Sequence, residues 1–180
     1  MLSVTNVSLK SVLLWTAHML GQSPKYTLRS PKVCYDGEST KLLCYTEANG
    51  GTPQNINTAD VLAVASYLRS YGREIPAGRL FTMNTAGSED CPEWSLSSNG
   101  TVLALAKHIN AAANSSVLFE DIATTIDGGL PATAIGIISC LGSGGSLGVL
   151  VNQSNPAYSS LSYLASGATS DGILIKIVKS

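Results

Sequence analysis

Apolar residues recur along this chain in two rhythms. Over residues 58–71 they fall at Val61, Val64, Ala65 and Leu68, which is one face of a helix. Asn57 or Thr58 can cap that helix, Asp60 suits its positive end, and Arg69 with Gly72 suits its exit. The same spacing predicts a second helix over 114–129, with Leu118, Phe119, Ile122 and Ile126 on the buried face and Gly128 as the stop. Residues 130–141 also fit a helix, opened by Pro131 with Ile135, Ile138 and Leu141 on one side, although Gly136 and the isoleucines would suit a buried strand. A short helix fits 159–165.

The second rhythm is that of strands, predicted over 79–84, 91–96, 101–109, 147–151 and 172–179. Polar loops at 46–57, 85–90 and 97–100 separate them, and residues 24–32 read as an extended lead-in. No linker interrupts the pattern and no period repeats. The expected fold is therefore a single α+β domain over 24–180, a sandwich of helices on a mainly antiparallel sheet.

Composition narrows the function. Of 180 residues, 44% are hydrophobic and only 13% charged, against about a quarter in a typical soluble domain, so the chain can bury a core and disorder is not the reading. Eleven basic residues against twelve acidic ones are scattered, which leaves no positive stripe for nucleic acid. Residues 1–23 carry one cation, Lys10, then a short apolar stretch and a Gly21-Gln22-Ser23 exit, the layout of a secretory signal cleaved after Ser23. A helix packed on the domain is the alternative. The stretch is too short to span a bilayer, and no other segment looks transmembrane. Sequons at Asn6, Asn99, Asn114 and Asn152 fit export, and Asn99, Asn114 and Asn152 are the candidate glycosylation sites.

The cysteines are Cys34, Cys44, Cys91 and Cys140. No two have the close spacing of a zinc knuckle, and the histidines, His18 and His108, lie far apart, so no metal or other cofactor is expected. His108 falls in an alternating apolar run and reads as a strand-end residue rather than the base for a catalytic thiol. An even cysteine count in an exported chain points to two disulfides with three pairings open, and long-range links are favoured because closing longer loops removes more unfolded-state entropy.

Other candidate chemistry is sparse. Glu120 and Asp121 diverge by about 100° on a helix and suit its N-terminal end better than a shared substrate. The glycine-rich stretch 142–148 lacks the Lys-Ser/Thr of a phosphate loop and the third glycine of a dinucleotide fingerprint, so it reads as a tight connection. Glu93 and Trp94 could serve recognition, with the indole as a sugar platform and the acid accepting hydroxyl bonds. Tyr35, Tyr45, Tyr67 and Tyr71 add aromatic surface. Glu93, Trp94 and Tyr45 are the candidate ligand-binding residues, and no catalytic set can be assembled.

Across 91–96, 102–110 and 119–123, and in the order of elements over 34–180, the chain resembles small secreted fungal proteins that include killer-toxin-like effectors and mushroom glycan-binding proteins. That resemblance implies a disulfide-linked α/β sandwich with a non-enzymatic defence, toxin or glycan-recognition role. The expected function is a secreted binding or effector protein that meets an extracellular glycan or cell-surface receptor, with a homodimer through a sheet edge as a further possibility. The alternatives are a secreted hydrolase using Glu93, Glu120 or Asp121, and a self-assembling structural protein.

Overall fold

The computed structural model describes residues 38–85, 93–110, 112–129 and 135–180, all within one unit, Pro31–Ser180. Residues 1–23, read above as a secretory signal, together with Tyr35, Cys34, Cys91 and the Asn6 sequon, lie outside the described residues.

Helix α1 (Thr58–Arg73) follows its apolar pattern: Val61, Val64, Ala65 and Leu68 are buried. Asn57 caps it by accepting a hydrogen bond from the Ala59 N–H at 2.9 Å. The expected exit at Gly72 is not the end. Gly72 sits buried inside the last turn, where a Cβ would come within 3.1 Å of the Phe119 Cβ, so its lack of a side chain lets α2 approach.

The second helix begins later than its periodicity predicts. Residues Ser115–Leu118 form strand β5, antiparallel to β2 (Leu80–Met83), and α2 runs only from Phe119 to Asp127. The reason is tertiary: Ser116 donates its N–H to Thr169 O at 2.7 Å while Thr82 and Ser116 share a hydroxyl bond at 2.8 Å, which satisfies an extended segment buried on both sides. Gly128, at φ 82°, ends α2 in the left-handed conformation.

The main sheet has the order β1-β6-β7-β4-β3 and is antiparallel throughout. Its strands are β1 (Leu43–Cys44), β3 (Glu93–Asn99), β4 (Val102–His108), β6 (Gly145–Gly148) and β7 (Ile173–Lys179). Val102, Ala104 and Ala106 of β4 and Ile173, Ile175 and Ile177 of β7 turn one face inward onto α1 and α2. The molecule is thus an α+β sandwich, and Cys44 is disulfide-bonded to Cys140 across 96 residues. The long-range option is the one realised at Cys44.

Two expectations fail. Residues 137–143 form 3-10 turns, not an α-helix, broken at Leu141 with φ 52°, and Ile135 and Leu141 are 66% and 67% exposed, so the supposed shared face does not exist. The strand spans residues 145–148 rather than 147–151: Val149 N–H still donates to Ile173 O of β7 at 3.2 Å, but from Leu150 the chain turns to α2, where Leu150 N–H donates to Thr125 Oγ1 at 2.8 Å and Asn152 N–H to Asp121 Oδ2 at 3.3 Å. The short helix near 159–165 forms as α3 (Leu161–Ala165), preceded by a 3-10 turn at Pro156–Ser159.

Candidate functional site

A groove runs between α1 and the edge strand β3. One part, of about 350 Å³, is lined by Ala63, Val64, Tyr67, Leu96, Ser97, Ser98 and Asn99. The other, of about 230 Å³, is lined by Tyr67, Leu68, Tyr71, Phe81, Ser95, Leu96 and Phe119. Tyr67 and Leu96 belong to both, which makes the two parts neighbours.

Local sequence explains the α1 wall. Tyr67 and Tyr71 are one helical turn apart on α1, and their rings stack at 6.2 Å with an interplanar angle of 11°. Tyr71 meets Phe119 edge-on at 5.0 Å, Phe119 meets Phe81 at 5.7 Å, and Phe81 meets Trp94 at 6.1 Å. The Arg79 guanidinium lies 3.9 Å from the Tyr71 ring centre, a cation–π contact that adds to the packing of that ring. Opposite, β3 carries a bulge: Ser95 pairs with Leu105 but Ser97 with Ala104, so Leu96 is the extra residue. Leu96 packs on the core while the serines around it rim the groove.

The far end is fixed by Asp60. Its Oδ2 accepts from both the N–H and the hydroxyl of Thr101 at 2.8 Å, tying the start of α1 to the β3–β4 turn. Gly100, at φ 50°, makes this possible, since a Cβ there would come within 2.4 Å of the Asp60 carboxylate. The two backbone N–H and hydroxyl bonds from Thr101 hold the Asp60 carboxyl below its ordinary value.

Of the three ligand-binding candidates, only Trp94 is near this groove. It is 45% exposed, and its ring extends the aromatic row beyond Phe81. Glu93 faces the other way, because successive strand residues point to opposite sides of a sheet. It joins an outer-face cluster in which Lys176 Nζ lies 2.6 Å from Glu93 and 3.1 Å from Glu38, and Lys107 Nζ lies 2.9 Å from Glu38. Burial works against the Glu38 charge, but hydrogen bonds from Lys107 and Lys176 prevail and hold its carboxyl below the usual range. Burial likewise opposes the Lys176 charge, yet the Glu93 and Glu38 bonds raise it. Tyr45 adjoins this cluster through Ser146, and burial pushes its phenol up. The two lysines balance the two glutamates, so the cluster is a cross-strand clasp.

The hydrolase carboxylates are not brought together. Glu120 pairs with Arg73 of α1. Asp121 is 4% exposed, accepting from the Tyr158 hydroxyl at 2.5 Å and the Asn152 N–H, and burial raises its carboxyl above the ordinary value. Burial and the Asp121 bond push the Tyr158 phenol far up. His108 is fully buried at the end of β4, its Nε2 3.0 Å from Ser115 Oγ, with burial lowering its pKa. Among the described residues no group of three His, Cys, Asp or Glu could hold a metal ion, and no helix is long and apolar enough to cross a membrane.

Of the sequon asparagines, Asn99 and Asn152 are exposed, whereas Asn114 is half-buried and accepts from Thr85 N–H and hydroxyl. Sequence reasoning named Tyr67 and Tyr71 only as general aromatic surface and missed Phe81, Phe119 and the β3 serines as their partners. The i, i+4 spacing of the tyrosines was the available signal. The other walls come from segments 10 to 50 residues away. No protein-family model matches the chain, and no curated protein or solved structure is significantly similar to it.

Proposed function

We propose that this is a secreted, non-enzymatic binding protein that takes an uncharged carbohydrate in the α1–β3 groove and so recognises an extracellular or cell-surface glycan. One observation carries the reading: the groove is lined by aromatic rings, serine hydroxyls and one asparagine amide, with no charged side chain among its lining residues. A sugar ring offers an apolar face to an aromatic platform and a rim of hydroxyls to short polar side chains, and these two needs are met here side by side. The hydroxyls of Tyr67 and Tyr71 take no hydrogen bond within the described residues, so they remain available to a ligand.

Export is supported by the Cys44–Cys140 bond, since disulfides persist in oxidising compartments, and by the exposed sequon at Asn152. The test is a glycan array probed with protein recovered from a secreting eukaryotic host and carrying Asn99→Gln, so that no N-linked sugar fills the groove. Binding to uncharged glycans that falls at least about tenfold in Tyr67→Ala is expected, a loss of roughly 1.4 kcal/mol. Binding confined to anionic glycans, or unaffected by Tyr67→Ala, refutes the groove as the site.

A further inference from the structure

The shape of the groove says more about its ligand than its polarity does. Along α1 the lining runs from Ala63 to Tyr71, a rise of about 12 Å at helical pitch. Along β3 it runs from Asn99 back to Ser95, at most about 13 Å because the bulge at Leu96 shortens the extended strand. The two walls run antiparallel, with Asp60 bonded to Thr101 at one end and Tyr71 and Ser95 lining the other, so the two cavities lie in sequence along an elongated trough. Its two parts, about 350 and 230 Å³, together fall within the range of about 300–1,000 Å³ common for small-molecule sites. Tyr67 stands where they meet.

We infer that the trough binds an internal stretch of a linear, uncharged oligosaccharide lying along β3, with Tyr67 as the central platform, Tyr71 and Phe81 towards one end, and Ser98 and Asn99 towards the other. This rests on the glycan-binding reading. An extended peptide added to the β3 edge is the competing occupant of a groove between a helix and an edge strand, because main-chain bonds would then supply affinity. The bulge at Ser95–Ser97 argues against it, since the extra residue breaks the regular ladder a new strand needs. Hydroxyls and rings, in contrast, do not depend on an unbroken ladder.

The inference is tested on the secreted protein carrying Asn99→Gln, which removes the sequon whose sugar would otherwise fill one end of the trough. Calorimetry is run with linear β-linked glucose and N-acetylglucosamine oligomers from mono- to hexasaccharide, and with a polyvaline-rich extended peptide as the competing probe. Affinity in at least one series should rise about tenfold or more from mono- to trisaccharide and then level off. Tyr67→Ala should remove the length dependence. Ala63→Arg, an exposed helix position where arginine costs little helix stability, should fill the Asn99 end and reduce trisaccharide affinity to that of a shorter oligomer. Near-ultraviolet circular dichroism confirms that each variant is folded. Equal affinity for mono- and hexasaccharide, or no effect of Ala63→Arg, overturns the extended trough while leaving glycan binding in place. Failure of all oligomers alongside array binding to branched or terminal sugars does the same. Peptide binding without any sugar binding overturns both.

Discussion

Two pairs of tyrosines in this protein have similar ring separations and opposite uses. Tyr158 and Tyr163 lie 5.2 Å apart, edge to face, each 7% exposed, and both hydroxyls are engaged: Tyr158 with Asp121 and the Leu118 N–H, Tyr163 with Ser116 O. Tyr67 and Tyr71 lie 6.2 Å apart and stacked on α1, with Tyr67 56% exposed. The first pair closes a buried polar network that holds β5, α2 and the segment 149–163 together. The second leaves its polar ends to solvent above an apolar floor. What distinguishes them is where the hydroxyl goes, since a buried phenol must find a partner within the protein and an exposed one need not.

The comparison is broken most sharply at Tyr158. Tyr158→Phe leaves the buried Leu118 N–H without its acceptor and the Asp121 carboxylate with one donor fewer, so stability should fall by about 2–3 kcal/mol in urea unfolding. Glycan affinity of the folded fraction should not change. A loss under about 0.5 kcal/mol would mean that water replaces the hydroxyl and that the network is not closed.

Tyr67→Ala should do the reverse. Glycan affinity drops about tenfold or more, while stability moves by less than about 1 kcal/mol, because over half of the residue is already in water. Comparable losses of stability in the two variants would erase the distinction between the pairs.

The pH dependence of stability sharpens the same contrast. Burial raises the Asp121 carboxyl, so its contribution is fully present below the unfolded value of about 3.9 and is lost as pH rises through the higher folded value. Both of its side-chain bonds end on Oδ2, so Asp121→Asn can keep them and lose only the charge. Wild-type stability minus that of Asp121→Asn should therefore decline with rising pH across this window, measured by urea unfolding at successive pH values. A rising difference would mean that the bonds to the charged form outweigh burial.

The smallest effect is expected at Glu93→Gln. Its ion pair with Lys176 is partly exposed, so the change in stability should stay below about 1 kcal/mol. Glycan affinity should be unaltered, because Glu93 faces away from the trough. A marked loss of binding would move the site to the outer face of the sheet.

The legible parts of this molecule were those whose signal is local. Helix α1 could be read from Val61, Val64, Ala65 and Leu68, its cap from Asn57, and β4 and β7 from alternating or continuous apolar runs. Residues 115–118 could not, because Ser-Ser-Val-Leu joins smoothly to the helical pattern that follows and only β2 and Thr169 make it a strand. The candidate site was legible in its residues and not in its assembly. Glu93 and Trp94 are neighbours in sequence, yet a strand's two-residue period sends them to opposite faces, one to Lys176 and the other to Phe81.

By itself the sequence determined the class of fold and supplied the cysteines that brace it, since composition and periodicity act within a few residues of each other. The tertiary structure decided which tyrosines are spent on the core, that Cys44 meets Cys140, and that the bulged edge strand β3 packs beside α1 with Tyr67 and Tyr71 at the seam. Those outcomes depend on which surfaces must be buried together across 40 to 100 residues of chain, and no local pattern carries that information.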